Sequence, residues 1–301
     1  MSGPALEIVD GFDLARLTTV RTGGPAEHFA RAGSLRELQA LLAWGAERGL
    51  EVGIVGSGSN LLVADEGVPG LVLKLDRDLA RIEPKGARLI CGGGARLPSV
   101  AARAATRGLS GIEFGVNIPG TVGGAVRMNA NAYGGELAAA LEWVDVVDAA
   151  GVARRAPAEL GFAYRRSNLR PAEIVARASF ALTAADSDSV RATLATMRDR
   201  RHAAQPKGIK TFGSTFKNPD SGADGRTAGL LLAEAGCAGL TVGGARFSPK
   251  HANFVENVGG ASTADVIALM AAGRERVRER FGVVLEPEVQ VLGAVRFPWE
   301  G

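Results

Sequence analysis

Apolar residues recur at helical spacing in five segments of the chain. The clearest is 34–49, which carries a leucine stripe, begins with a capping box at Ser34 and Glu37, and ends at Gly49. The last of the five begins with a second capping box, at Ser262 and Asp265. The predicted helices are 34–49, 97–108, 189–204, 226–235 and 262–282.

Runs of apolar and β-branched residues between glycines predict strands. Segment 51–75 has the pattern of a strand, a glycine loop, a second strand, a turn and a third strand. Segment 111–137 is rich in glycine and lacks periodicity, so we expect a long ordered loop or a set of tight turns there. The mixture of helices and strands predicts the α+β fold class. The other predicted strands are 87–94, 142–149, 152–155, 174–182 and 283–293.

Composition narrows the class of protein. The 301 residues carry a net charge of only +3 and no basic run with interleaved aromatic residues, so no nucleic-acid partner is expected. Two cysteines and three scattered histidines predict neither disulfides nor a metal site. The first residues lack the pattern of a signal peptide, and no apolar run approaches membrane-spanning length. We therefore expect a cytoplasmic protein without a membrane partner.

Glycine is the outlier, with 41 residues gathered in clusters between apolar runs. The loop GSGSN (56–60) follows a strand but fails the dinucleotide-binding pattern, because Leu61 continues a strand instead of opening a helix. Its spacing alone fits either an anion-binding nest or a plain hairpin turn. A second loop, IPGTVGGAV (118–126), is long and uncharged. Two such loops suit a flat cofactor that carries a diphosphate.

Seven motifs together resemble the UDP-N-acetylenolpyruvoylglucosamine reductase family over nearly the whole chain. The motifs are RTGGPAEHFA (21–30), VGSGSNLLV (55–63), GIEFGVNIPGTVGGAVRMNANAYGGE (111–136), YRRS (164–167), GSTFKNP (213–219), KHANF (250–254) and LEPEV (285–289). The resemblance implies two FAD-binding subdomains, 1–80 and 81–204, in a fold similar to vanillyl-alcohol oxidase. It also implies a C-terminal α+β substrate-binding domain, 205–301, whose last strand returns toward the flavin.

The resemblance further implies the reaction and its residues. NADPH would reduce a non-covalent FAD, whose N5 would pass a hydride to C3 of an enolpyruvyl ether of UDP-N-acetylglucosamine, giving UDP-N-acetylmuramate for peptidoglycan synthesis. Ser214 would protonate C2, while Arg165 and Glu288 would stabilise the enolate. Substrate contacts would come from Tyr133, Lys217, Asn218 and His251, and no obligate protein partner is implied. The implied FAD contacts are Gly56, Ser57, Gly58, Ser59, Asn60, Leu61, Asn117, Ile118, Pro119, Gly120, Gly123, Gly124 and Asn129.

Two departures from the family pattern concern the substrate. Residues 168–213 contain no tyrosine, so the chain is similar to the shorter branch that lacks a tyrosine-bearing insertion over the nucleotide. Ala204 stands where a lysine is often found, which leaves Lys207, Lys210 or Lys217 for the diphosphate. Two other hypotheses stay open at this point: a different flavoprotein of the same fold, and a nucleotide-binding protein without catalysis.

Overall fold

The computed structural model describes residues 6–206, 208–219 and 223–300. The helices in this part of the chain are α1 (Leu35–Glu47), α2 (Leu97–Ala105), α3 (Val122–Arg127), α4 (Leu137–Ala140), α5 (Ser187–Ala204), α6 (Ala228–Glu234) and α7 (Thr263–Phe281). The strands are β1 (Ile8–Asp13), β2 (Pro25–Ala32), β3 (Val52–Ile54), β4 (Leu61–Val63), β5 (Val68–Leu75), β6 (Ile82–Lys85), β7 (Arg88–Gly92), β8 (Leu109–Ser110), β9 (Asn131–Ala132), β10 (Gly135–Glu136), β11 (Leu141–Asp148), β12 (Gly151–Arg155), β13 (Ile174–Ala181), β14 (Thr183–Ala184), β15 (Lys210–Thr211), β16 (Thr241–Val242), β17 (Ala245–Phe247), β18 (Val255–Asn257) and β19 (Gln290–Leu292).

The chain separates into two compact units, each built from segments that are distant in sequence. The first unit comprises 6–10, His28–Ser57 and Pro69–Arg201 among the described residues. The second comprises Gly11–Glu27, Gly58–Val68 and the described part of 202–300. The three-domain division of the sequence analysis stays a prediction.

The first unit is organised around a five-stranded antiparallel sheet of order β12–β11–β13–β7–β6. Helices α2 and α3 pack against this sheet and bury a core that includes Leu97, Val122 and Phe180. A second sheet has the order β1–β2–β5–β3, and the leucine stripe of α1 packs with Leu71 and Leu73 of β5. The loop that precedes α3 is thereby held on a rigid base.

The second unit is organised around a four-stranded antiparallel sheet of order β15–β18–β17–β16. Helices α6 and α7 cover it, and Phe212, Phe216 and Phe247 are fully buried in the core between them. The last strand, β19, pairs in parallel with β4, with Gln290 opposite Leu61. This pairing joins two segments of the second unit that lie more than two hundred residues apart in sequence.

Several predicted elements are confirmed, together with their caps. Ser34 accepts a hydrogen bond from the Glu37 N–H at the start of α1, and Ser262 and Asp265 form a complete capping box on α7. Gly282 ends α7 in the left-handed conformation, with φ of 68°. The mixed helix and strand content confirms the α+β class.

Two predictions were wrong in extent. The strand predicted over 283–293 is limited to Gln290–Leu292, because Pro287 lacks the N–H that a continuous ladder needs and makes only an isolated bridge to Phe216. The segment 111–137 holds α3, the start of α4 and the short hairpin β9–β10 instead of loops alone. Its glycines conceal these elements because they lie within short helical and hairpin turns.

Candidate active site

The second glycine loop, 118–126, is fixed by backbone hydrogen bonds to the segment 93–97. The N–H of Gly123 donates to the carbonyl of Gly93 over 2.8 Å, and a Cβ at Gly123 would lie 3.2 Å from that same oxygen. Thr121 caps α3 by accepting from the N–H of Gly124. The buried Asn117 donates from Nδ2 to the carbonyl of Met197 in α5, over 2.6 Å. Ile118, Pro119 and Gly120 form the half-exposed edge of this loop.

The first glycine loop, 56–60, begins in the first unit beside the second loop. A Cβ at Gly56 would lie 2.6 Å from the Thr121 hydroxyl, so the two loops meet at a position where only glycine fits. Lys74 donates to the carbonyl of Gly56, and burial lowers the pKa of the Lys74 ammonium. Gly56 and Ser57 belong to the first unit, whereas residues 58–60 belong to the second.

In the second unit the same loop contacts the segments that carry Ser214 and Glu288. The carbonyl of Ser59 accepts from the N–H of Gly213 over 2.9 Å. Asn60 donates from Nδ2 to the carbonyl of Glu288 over 3.0 Å. Gly58 adopts φ of +63°, and a Cβ there would lie 2.0 Å from the carbonyl oxygen of Leu17, so this turn also requires glycine.

Ser214 and Glu288 lie at the same end of a short antiparallel ladder. The N–H of Glu288 donates to the carbonyl of Thr215, and the N–H of Lys217 donates to the carbonyl of Glu286, each over 2.9 Å. The structure thus brings Ser214 and Glu288, which are 74 residues apart in sequence, into one local arrangement. Both side chains are half-buried, whereas Glu286 is exposed.

Asn253 holds the backbone that follows Ser214, and sequence reasoning missed it. Its Oδ1 accepts from the Phe216 N–H over 2.9 Å, and its Nδ2 donates to the Phe216 carbonyl over 2.8 Å. Its own carbonyl accepts from the N–H of Thr215. Asn253 is buried, so this amide satisfies both polar groups of a neighbouring residue in the core. A polar residue within the apolar end of KHANF is the signal that could have found it.

Arg165 lies in the tight turn of the YRRS motif in the first unit. Ala163 and Arg166 exchange backbone hydrogen bonds across the turn, and Arg165 adopts the left-handed conformation with φ of 55°. Its Nη1 donates to Oδ1 of Asn131 over 2.7 Å, and its guanidinium carbon lies 5.1 Å from the centre of the Tyr164 ring. Non-glycine residues rarely adopt this backbone conformation, and they cluster at functional sites.

The four predicted substrate residues have different surroundings. Tyr133 is exposed in the turn of the β9–β10 hairpin, and Lys217 pairs with Glu286 at 3.1 Å. Asn218 accepts from the first N–H of α6. Nδ1 of His251 accepts from the Asn253 N–H, and burial lowers the pKa of the His251 imidazole.

The two other lysines predicted for the diphosphate lie close together in sequence. Lys207 lies outside the described residues, and Lys210 is exposed in β15.

One cation beside Tyr133 also escaped sequence reasoning. Arg201 lies at the end of α5, and burial lowers the pKa of its guanidinium while the nearby Tyr133 phenol raises it. Its only sequence signal is the basic end of the predicted helix. Within the described ranges, no group of three or more His, Cys, Asp or Glu could hold a metal ion, and no helix is long and apolar enough to cross a membrane.

Comparisons with known proteins bear on these loops directly. Residues 26–156 match the family model of an FAD binding domain, and residues 205–292 match that of the C-terminal domain of UDP-N-acetylenolpyruvoylglucosamine reductase. The chain is 44% identical, over 95% of its length and 92% of the relative, to UDP-N-acetylenolpyruvoylglucosamine reductase 2 of Symbiobacterium thermophilum. It is 42% identical to the reductase of Rubrobacter xylanophilus, over 93% of each chain. The chain belongs to the UDP-N-acetylenolpyruvoylglucosamine reductase family.

The reductase fold is confirmed by a solved structure as well. The crystal structure of the Thermus caldophilus reductase matches with a TM-score of 0.82 at 38% identity, covering 96% of this chain and 99% of that one. The chain is therefore an oxidoreductase of peptidoglycan synthesis with FAD as its cofactor, as the sequence motifs predict.

The reductase loops fit an FAD. In the first unit, Oδ1 of Asn129 is buried without a hydrogen-bond partner, directly after the glycine loop and α3. In the second unit, Oδ1 of Asn60 is also buried without a hydrogen-bond partner. Buried polar atoms are normally paired, so these two oxygens suit a ligand that donates hydrogen bonds. Each unit thus has a buried acceptor oxygen that can receive a hydrogen bond from a ligand.

Proposed function

We propose that this reductase converts the enolpyruvyl ether of UDP-N-acetylglucosamine enolpyruvate to UDP-N-acetylmuramate in the cytoplasm, with NADPH as the electron donor. It would thus act as a UDP-N-acetylmuramate dehydrogenase. The proposal is supported by family membership over nearly the whole chain and by the presence of Arg165, Ser214 and Glu288 at the family's motif positions. FAD, when bound, supplies the hydride that reaches C3 of the enolpyruvyl group.

The observation that supports the proposal is the ladder that joins the backbone next to Ser214 to the backbone of Glu288. Hydride addition at C3 leaves negative charge at C2 and on the adjoining carboxylate. Ser214 donates a proton to C2. Glu288, held at the same end of the ladder, stabilises the enolate as a neutral carboxyl that donates a hydrogen bond, because a carboxylate would repel the growing negative charge. A serine hydroxyl is a weak acid at its ordinary pKa, so its proton transfer needs a nearby positive charge or a proton wire that resupplies the proton.

Arg165 would hold the substrate carboxylate. A guanidinium binds a carboxylate through two parallel hydrogen bonds and stabilises the charge that grows on it during the reaction. Tyr133, on the hairpin that also carries Asn131, would contact the sugar nucleotide, and Lys217 would meet its diphosphate. Lys217, Asn218 and His251 each already have a polar partner within the protein, so each would exchange or share that partner when the substrate binds.

Stopped-flow measurement of Ser214→Ala tests the proposal. NADPH oxidation precedes any chemistry on the substrate, so we expect the loss of flavin absorbance on adding NADPH to proceed at the wild-type rate. The return of absorbance on adding the enolpyruvyl sugar nucleotide should slow by ~10²–10⁴-fold, which is the usual contribution of general acid catalysis. Ser214→Cys should be faster than Ser214→Ala, because a thiol can also donate a proton.

The same experiment separates the other hypotheses. A wild-type protein that is bleached by NADPH but not restored by the enolpyruvyl sugar nucleotide would be a different flavoprotein. A colourless protein that cannot be reconstituted with FAD would be a nucleotide-binding protein without catalysis. Slow bleaching with a normal return of absorbance in Ser214→Ala would assign this serine to the NADPH step and overturn its proposed role.

A further inference from the structure

The turn that carries Arg165 is held by two asparagines of one short segment. Asn129, two residues before the start of β9, donates from Nδ2 to the carbonyl of Ala163 over 3.3 Å and to the Glu136 carboxylate. Asn131, the first residue of β9, accepts from Nη1 of Arg165. Asn129 therefore fixes the backbone of the turn, whereas Asn131 accepts a hydrogen bond from the Arg165 guanidinium.

Asn131 presents two oxygens to the same nitrogen of Arg165. Nη1 lies 2.7 Å from the side-chain Oδ1 and 3.4 Å from the main-chain carbonyl of Asn131. The hairpin fixes this residue, since Asn131 pairs with Glu136 and Ala132 pairs with Gly135 across a two-residue turn. The acceptors are thus set on a short, closed element.

We propose that Asn131 is a positioning residue for Arg165, a role that rests on the proposed function of Arg165 as the clamp for the substrate carboxylate. An arginine side chain has many rotamers, and fixing one nitrogen in advance removes part of the entropy cost of ordering it when the substrate binds. The amide is neutral, so it orients the guanidinium without offsetting the positive charge. A carboxylate at this position would orient Arg165 equally well, but it would compete with the substrate for that charge.

Two variants of Asn131 separate geometry from charge. Asn131→Ala removes the side-chain acceptor, and we expect the second half-reaction to slow by about 10–100-fold, as for a small displacement of a reacting group. Asn131→Asp keeps an oxygen acceptor of the same shape but adds a negative charge. It should therefore fail to restore the rate and should raise the KM for the enolpyruvyl sugar nucleotide. Bleaching by NADPH, FAD content and Tm should stay at wild-type values in both variants.

Asn168→Ala is the matched control. Asn168 is an exposed asparagine near the same turn, and its amide donates to the carbonyl of Glu159. The substitution removes one asparagine side chain from the same part of the first unit without touching Arg165. Its second half-reaction should stay within twofold of wild type.

A double-mutant cycle with Arg165→Ala decides the inference. If Asn131 acts through Arg165, Asn131→Ala should change the single-turnover rate less than twofold once Arg165 is alanine. An effect of equal size in both backgrounds would overturn the inference, as would a wild-type rate in Asn131→Ala. A wild-type rate in Asn131→Asp would support the positioning role and overturn only the argument that residue 131 must be neutral. A wild-type rate in Arg165→Ala alone would instead overturn the proposed role of Arg165 and, with it, that of Asn131.

Discussion

Two adjacent arginines, Arg165 and Arg166, differ in backbone conformation and in hydrogen-bond partners. Arg165 has a left-handed backbone, a hydrogen bond to Asn131 and a neighbouring Tyr164 ring. Arg166 is exposed and contributes its backbone N–H and carbonyl to closing the turn. The sequence contains two guanidiniums with the same chemistry. The turn distinguishes them, because the Arg165 side chain binds Asn131 whereas the Arg166 backbone closes the turn.

Arg165→Lys should impair turnover although it keeps the charge. Lysine cannot reproduce a planar pair of hydrogen bonds to a carboxylate, and the loss of one charge-stabilising donor typically lowers kcat by ~10²–10³-fold. Steady-state kinetics on the sugar nucleotide would measure the effect, with Arg166→Lys as the control. A near-normal Arg165→Lys beside a crippled Arg166→Lys would show that Arg166 holds the carboxylate.

Glu173 is a buried carboxylate outside the proposed catalytic set. Burial raises the pKa of its carboxyl, but hydrogen bonds from Arg155 and from the backbone and side chain of Arg170 outweigh that effect and lower the pKa to about 2. A carboxyl with a lowered folded-state pKa stabilises the protein above its unfolded pKa, near 4.5. This stability is lost as the pH falls from about 4.5 toward 2.

Glu173→Gln should therefore be less stable than wild type at pH 7, by about 1–3 kcal/mol for the lost charged hydrogen bonds. Between pH 4.5 and 2 its unfolding midpoint in urea should fall less steeply than that of wild type. Glu47→Gln, which removes an exposed carboxylate beside Arg48, is the control and should follow the wild-type curve. Parallel pH profiles for Glu173→Gln and wild type would contradict the assignment.

At the scale of the elements, two sets of side chains satisfy the N-terminus of α7. Besides the capping box of Ser262 and Asp265, the carboxylate of Asp65 accepts from the N–H groups of Thr263 and Ala264, over 2.8 and 2.9 Å. The first N–H groups of a helix lack partners within the helix, so side chains must supply them. The helix start is thus tied to the segment that follows β4.

Ser262→Ala should lower the stability of the protein by about 1 kcal/mol, the usual cost of losing an N-cap hydroxyl. Chemical denaturation would measure the change, and FAD binding should not alter. Ser262→Thr keeps an oxygen that can accept from the Asp265 N–H, so it should recover most of the loss. Equal losses in both variants would mean that packing, not capping, sets the contribution of this residue.

Helices that carry capping residues and terminal glycines could be predicted from the sequence. Short strands that lack such markers could not. Helices α1 and α7 carry capping residues and terminal glycines, so their limits agree with the sequence to within about two residues. Strands such as β9 and β16 have two residues each, which is too short to show alternation. Asn131 and Asn253 were missed for a related reason: each is a single polar residue whose partner is distant in sequence.

At the scale of the whole molecule, the thiol best placed to attach a flavin is inert. Cys91 lies in strand β7 and is followed by three glycines, but it is fully buried in the core of the first unit. Burial raises the pKa of the Cys91 thiol to about 12, so almost no thiolate exists near neutral pH. This environment favours a flavin held only by non-covalent contacts.

Acid or heat precipitation of the purified protein should therefore release all of the yellow colour into the supernatant, with the spectrum of FAD. Re-adding FAD to the stripped, refolded protein should raise its Tm, because a ligand that binds only the folded state stabilises it. Cys91→Ala should keep its full flavin content. Colour that stays in the precipitate would show a covalent bond.

The pairing of β4 with β19 has a consequence for biosynthesis. As the chain leaves the ribosome, Leu61–Val63 emerges early, yet its partner Gln290–Leu292 is translated more than two hundred residues later. Gly11–Glu27 likewise belongs to a unit whose largest segment begins at His202. Because domains generally complete folding only when their chain is available, the second unit cannot be completed until Gln290–Leu292 has been translated. Apolar residues of β4 such as Leu62, which is fully buried in the finished unit, would therefore lack their final partner strand during that interval.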